Sequence, residues 1–192
     1  KKKTRGMLAQ ERGLEPLAEL MLELGDAELL LKAEDFVVEN SENAELSVAN
    51  AVDALQGAMD ILAERLSQDT AMRAMLKSFY LADGRILVKG IGDEEKKKTS
   101  TYQMYWDFAE PLSQVKPHRI LAINRGEREG ELEVSIDIDL EAAYQLLQKE
   151  YSIYNEYHRN SIDDGIRRLL SPAVLRELRG DQGENADDHG IG

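Results

Sequence analysis

The stretch SVANAVDALQGAMDILAERLSQD, Ser47 to Asp69, decides the architecture. Its larger apolar residues, Val48, Val52, Leu55, Met59, Leu62 and Leu66, step by four and three without a break, the spacing of one face of an α-helix. Ser47 is the predicted N-cap, a hydroxyl placed to accept from backbone N–H groups of the first turn. Gly57 in the interior costs about 1 kcal/mol against alanine, so the sequence predicts a close neighbouring helix there. Asp69 then caps a second helix carrying Met72, Leu76, Phe79 and Tyr80, which ends at Gly84 beside Asp83. The short break at 67–69 makes the two helices antiparallel.

Upstream, KKKTRGMLAQERGLEPLAELMLEL (Lys1 to Leu24) reads as two short helices hinged at Gly13. Met7, Leu8 and Ala9 face inward on the first; Leu17, Leu20, Met21 and Leu24 form a stripe on the second, with Pro16 in its first turn. Ala9 four residues before Gly13 has the spacing of a helix-turn-helix. The helix that would enter a major groove, however, carries Glu15, Glu19 and Glu23 and no base, which favours a packed helical hairpin. Residues 26–47 read as acidic and irregular, anchored by Phe36, Val37 and Val38.

Downstream, residues 85–91 read as a strand and DEEKKK at 93–98 as a solvated loop. Tyr102, Met104, Tyr105, Trp106 and Phe108 form a cluster read as packing in an acidic chain rather than as a base-stacking platform. Pro117 starts a helix running to about Gly126. Residues 131–139 alternate, with Leu132, Val134, Ile136 and Ile138 on one face, so a half-buried strand near 131–138 pairs with 85–91 as the only strand content. Helices follow at 140–158, 161–170 and 172–179; Tyr144, Tyr151, Tyr154 and Tyr157 follow helical steps. The expected fold is mainly α, multi-helical with one small antiparallel β-sheet. It divides into a hairpin at 1–25, a helical body with the sheet at 26–180, and a frayed tail at 181–192.

The chain has 192 residues, of which 42% are apolar and 32% charged, a balance that excludes wholesale disorder and a membrane bundle. It has no cysteine, which removes disulfides and thiolate chemistry and makes a reducing cytoplasm the default. The net charge is −13. The first twelve residues nevertheless hold five bases (Lys1, Lys2, Lys3, Arg5, Arg12) against one acid, Glu11. Lys1, Lys2, Lys3 and Arg5 are therefore the candidate nucleic-acid contact, in a body whose sign repels phosphate. His118, His158 and His189 lack metal-ligand spacing, and no phosphate loop or nucleophile elbow occurs, so no catalytic, cofactor or metal residues are expected.

Several stretches are similar to a known family. KKKTRGMLAQERGLEPLAEL resembles the basic, Gly-Leu-Glu-Pro-Leu-Ala segment near the start of bacterial Tex proteins, transcriptional accessory factors. ALQGAMDILAERLSQD (54–69) resembles their long helix, and AEPLSQVKPHRILAINRGEREGELEVSID (109–137) their Arg-Gly-x-x-Glu-Gly region. IRRLLSPAVLRELR (166–179) and ENADDHGI (184–191) resemble the run ahead of the family's RNase-H-like domain. The resemblance implies a segment of a larger protein, its partners being other domains of the same chain, the transcription machinery, and RNA or DNA through C-terminal domains beyond this segment. It implies no cofactor, no membrane and no enzymatic role for the helical region. Three readings stand: a non-catalytic scaffold of a Tex-like factor, a direct nucleic-acid binder through the basic N-terminus and its helix-turn-helix-like hairpin, and an enzyme with an unrecognised site.

Overall fold

The computed structural model describes residues 2–188, with side chains described as far as Gly180. The described residues form α1 (Arg5–Glu11), α2 (Glu15–Met21), α3 (Asp26–Ala33), α4 (Ala51–Ser67), α5 (Thr70–Asp83), β1 (Arg85–Gly90), α6 (Glu94–Thr99) and β2 (Asp107–Pro111). They continue with α7 (Pro117–Arg128), β3 (Leu132–Asp137), α8 (Leu140–Gln148), α9 (Glu156–Leu169) and α10 (Pro172–Asp188). The fold is mainly α with one antiparallel sheet, as the residue pattern predicts.

The chain divides into two compact units, neither continuous in sequence: residues 1–73 with 144–169, and residues 74–143 with 170–192. This differs from the division at 25 and 180 read from composition. The hairpin shares one hydrophobic core with α4, so it is not a separate body.

In the first unit α4 is the central element. Asn50, not Ser47, caps it, accepting from the Asp53 N–H at 2.8 Å. Val48 lies outside the helix, in an isolated bridge to Val38, and Val52 is 70% exposed. The buried face is built from Ala51, Ala54, Leu55, Ala58, Ile61, Leu62 and Leu66 instead. Counting large apolar residues placed the stripe too far to one side, because the alanines are what permit close approach. Gly57 does mark such an approach: a Cβ there would meet Leu14 Cδ1 at 2.3 Å and Ala9 Cβ at 3.3 Å.

Gly13, with φ of +78°, turns the chain between α1 and α2. Gly6 and Ala9 are the buried positions of α1, whereas Met7 is 49% exposed. Residues 26–33 are helical rather than irregular: DAELLLKA is made of good helix formers, has acids in its first turn and Lys32 in its last, and buries Leu29 and Ala33. Val37 and Val38, the expected anchors, are largely exposed; Phe36 packs on the core.

The expected helix over 140–158 is broken at 149–155, because Asn155 starts α9. Its Oδ1 accepts the His158 N–H at 2.7 Å, and its Nδ2 donates to the Met21 and Leu24 carbonyls at 2.8 and 2.7 Å. One buried amide thus caps the start of α9 and the end of α2 together. The Glu156 N–H donates to Asp26 Oδ1 at 2.8 Å, so the first residue of α3 repeats the device. Where α9 crosses α4, Gly165 removes a side chain that would meet Leu66 Cβ at 2.9 Å and the Ala63 carbonyl oxygen at 3.1 Å.

In the second unit the sheet has the order β2-β1-β3, all antiparallel. β1 pairs with β3 as expected, with Ile86 opposite Ile136 and Val88 opposite Val134. The strand β2 is a third strand that the sequence reading left out; it is short and ends at Pro111, which fits only an edge position. Residues 94–99 form a short exposed helix, not a loop, because the Asp93 carboxylate accepts the Lys96 N–H at 2.9 Å. The helix α10 continues to Asp188, beyond the expected end at 179, since Gly180 and Gly183 weaken a helix by about 1 kcal/mol each without forbidding it. Arg179, 3% exposed, donates to Asn124 Oδ1 at 3.0 Å and to Glu127, joining α10 to α7.

Two outcomes check this packing in denaturant melts. Leu55→Ala should cost about 2–5 kcal/mol and Val52→Ala less than about 0.5 kcal/mol; the reverse order would mean that α4 is rotated from the orientation described. Asn155→Ala should cost about 2–4 kcal/mol, because it deletes a cap and leaves two carbonyls without their donor. A cost below about 1 kcal/mol would show that the amide is not holding the two helix ends.

Candidate functional site

The N-terminal bases lead to a polar recess between α1, α4 and α9. Lys1 lies outside the described residues; Lys2 is exposed. Lys3 Nζ pairs with Glu11 at 2.8 Å, and that hydrogen bond holds its ammonium above the usual lysine range. Thr4 caps α1 by accepting the Met7 N–H at 3.1 Å, and its hydroxyl donates to Glu64 Oε2 at 2.8 Å. The structure thus separates the four expected contact residues into one outside the description, one exposed, one ion-paired, and Arg5.

Arg5 lines two hollows. The first, of about 300 Å³, is formed with Gln56, Met59, Asp60, Asn160, Ser161 and Asp164. The second, of about 400 Å³, shares Arg5 and Asp164 and adds Thr4, Glu64, Ser67, Gln68 and Arg168. Asp60 is only 8% exposed. Burial raises its pKa above the usual carboxylate value, while the hydrogen bond from Gln56 (3.0 Å) and the charge of Arg5 act the other way. Every hydroxyl in the recess is committed: Thr4 to Glu64, Ser67 to the Glu64 carbonyl at 2.8 Å, and Ser161 to the His158 carbonyl at 2.7 Å. Asp164 is paired with Arg168 at 2.7 Å. No lining residue is a histidine; the carboxylates of the recess are Asp60, Glu64 and Asp164.

His158 is buried at 4% exposure, its ring edge-on to Tyr151, and burial lowers its pKa. His118 is exposed, and His189 lies outside the described residues. Among the described residues no three of His, Asp and Glu gather as a metal site.

Glu15 and Glu19 on α2 both engage Arg65 of α4, at 3.0 and 2.7 Å, while Leu17, Ala18 and Met21 are buried. Most of the aromatic cluster is spent on packing as well: Tyr102 and Tyr105 are buried, Tyr105 stacks edge-on to Phe108, and Trp106 lies against Gly90. Arg119 sits over the Phe108 ring at 5.8 Å.

One surface was not singled out by sequence reasoning. Lys116, Arg125 and Arg128, at and along α7, are exposed, whereas the neighbouring acids are engaged: Glu127 by Arg179 and Glu129 by the Tyr102 hydroxyl at 2.6 Å. The signal was present in the spacing of Arg125 and Arg128. It was hidden because RGEREGE holds three acids against two bases and reads as net acidic.

Asp60 supplies a test of the recess. A carboxyl whose native pKa is raised binds its proton more readily folded than unfolded, so its ionisation opposes folding as pH rises past the unfolded value of 3.8. Asp60→Asn should therefore raise the melting temperature at neutral pH, with the gain fading as pH falls through the carboxylate range. A lowered melting temperature at pH 7 would show that the carboxylate is held by a favourable partner instead.

Residues 30–191 match the family model described as Tex central region-like. The chain is 33% identical to the uncharacterized protein YdcI of Bacillus subtilis, over all of this chain and 27% of that protein. It is 35% identical to the protein tex of Bordetella pertussis over 74% of this chain and 17% of that protein. It is 27% identical to the transcriptional accessory protein Tex of Neisseria gonorrhoeae over 79% of this chain and 19% of that protein. The chain therefore spans between 17% and 27% of the length of these relatives. The family model covers most of the chain, from α3 into the last turn region of α10 and beyond, and on that match the chain belongs to the Tex family.

Proposed function

We propose that this chain is a non-catalytic scaffold and interaction region of a Tex-like transcription accessory factor. The observation that carries the reading is the state of the recess between α1, α4 and α9. Its hydroxyls donate to neighbouring oxygens and Asp164 is paired with Arg168, so its polarity serves the packing of the unit. The double cap by Asn155 supports the same reading, since it ties the start of α9 to carbonyls 134 and 131 residues earlier. A support of this kind holds other parts of a longer chain, and through them the transcription machinery and nucleic acid, in fixed positions. Among the described residues no helix is long and apolar enough to cross a membrane.

The alternative contact through Lys1, Lys2, Lys3 and Arg5 has less to support it. Lys3 is already neutralised by Glu11, and α2 offers acids where a duplex would need bases.

The test is complementation of a strain that lacks its own Tex protein, with a longer Tex-family protein containing this region and transcription of a reporter as readout. Joint replacement of Asp60→Asn, Ser161→Ala and Asp164→Asn should leave output unchanged. Leu55→Ala combined with Asn155→Ala should abolish it. Loss of output with the recess variant at normal protein level and melting temperature would replace the scaffold by an active or ligand-binding site.

A further inference from the structure

Ten large apolar side chains are exposed among the described residues, and four of them fall within nine consecutive positions: Leu30, Leu31, Val37 and Val38. Leu31, at 73%, is the most exposed of the ten. The backbone that carries them is fixed. Leu29 and Ala33 bury the inner side of α3, so Ala27 and Leu31, four apart, lie on its outer side, with Leu30 and Glu34 beside them. Phe36, at the end of a 3-10 turn over Glu34–Phe36, packs on the core. Val38 then joins Val48 in an antiparallel bridge, with N···O distances of 3.1 and 2.7 Å, and the Asn40 N–H donates to Ser47 Oγ at 2.8 Å. The exposed leucines and valines are therefore presented on a preformed surface of the first unit.

The surroundings of this surface are acidic. Residues 23–45 hold eight acids against one base, Lys32, and carry −7 of the chain's −13. One lysine cannot neutralise eight carboxylates, so the excess follows from composition and not from which pairs form. Glu28, Glu34, Asp35 and Glu39, interleaved with the four apolar residues, are all exposed. Of the bases outside the stretch, Arg12 and Lys3 approach it at Glu45, its last acid.

That charge selects the occupant. A second copy docked on the same face would set these acids against themselves, and nucleic acid or an anionic membrane would bring phosphate to a negative rim. A cationic protein segment gains where those lose. It must also bring apolar side chains to cover Leu31 and its neighbours, and it must satisfy its own backbone, because the outer side of a helix offers side chains and no open strand edge. A helix meets both demands. We infer that the outer face of α3, with Val37 and Val38, docks a basic amphipathic helix of a partner protein. This goes beyond the scaffold reading, which assigns no contact surface within this chain.

The experiment is fluorescence anisotropy on the whole chain with a labelled peptide of about 18 residues made of leucine and lysine, its leucines spaced to line one helix face. A second peptide has the same composition with its leucines spread round the helix. The first should bind about tenfold more tightly than the second. Leu31→Gln should weaken the first peptide, and Leu31→Gln with Val37→Gln should weaken it about tenfold at an unchanged melting temperature. Glu34→Gln with Asp35→Asn should weaken it too and flatten its salt dependence between about 50 and 200 mM. Glu94→Gln with Glu95→Gln removes the same charge from α6 and should change little.

Four results would overturn the inference. The first is that neither peptide binds, or that both bind equally. The second is wild-type affinity in the Leu31 and Val37 double variant. The third is a dimer of the chain in sedimentation that this variant dissociates, which would make the occupant a second copy. The fourth is failure of a longer Tex-family protein containing this region to bind the peptide that the chain alone binds, since its own remaining segments would then cover α3. None of these touches the recess or Asn155, so failure here and failure of the scaffold reading are separable.

Discussion

The first unit depends on how closely other helices can approach α4. A helix with bulky apolar residues all round would hold its neighbours at ordinary side-chain distance. Instead α4 offers Ala54, Gly57, Ala58 and Ala63, and its partners answer with Ala9 on one side and Gly165 on the other. The resulting contacts leave no room for even one added carbon at Gly57 or Gly165 without displacement of Leu14 or Leu66. Close-packed interiors convert such small volume changes into large costs, so α1, α2 and α9 are placed by the small residues of α4.

Two buried polar side chains then fix what packing alone would leave free to slide. Asn155 spends both ends of its amide on helix termini in the first unit, and Arg179 spends its guanidinium on Asn124 and Glu127 in the second. Burial lowers the pKa of Arg179 while Glu127 supports its charge, so the pair is held by geometry rather than by water. Arg179 engages Glu127, the one acid of a helix that also carries Arg119, Arg125 and Arg128.

Membership of the Tex family follows from the match over residues 30–191, and the structure shows what kind of object that region is. The hydroxyls of its polar recess bond to neighbouring oxygens, Glu15 and Glu19 of the hairpin pair with Arg65, and its aromatic residues largely serve the sheet and its surroundings.

Local pattern determined a good deal by itself. The strict alternation from Leu132 to Ile138 admitted only a half-buried strand, the runs around Gly13 and after Pro117 admitted only short helices, and Gly57 announced a close neighbour. These signals are legible because each rests on one backbone conformation and the side-chain period that it imposes. The family resemblance was legible for the same reason, since its motifs are contiguous. What tertiary structure decided were quantities belonging to pairs of distant residues. Whether Asn50 or Ser47 caps α4 depends on Val48 being taken into a bridge with Val38. The break before α9 depends on Met21 and Leu24 presenting carbonyls to Asn155. Which partners Glu127 and Glu129 find depends on Arg179 and Tyr102 arriving from distant parts of the chain. A residue's charge and size are written in the chain, but the partner that neutralises or admits it is a property of the fold, because hydrogen bonds and contacts act over ångströms in space and not along the sequence.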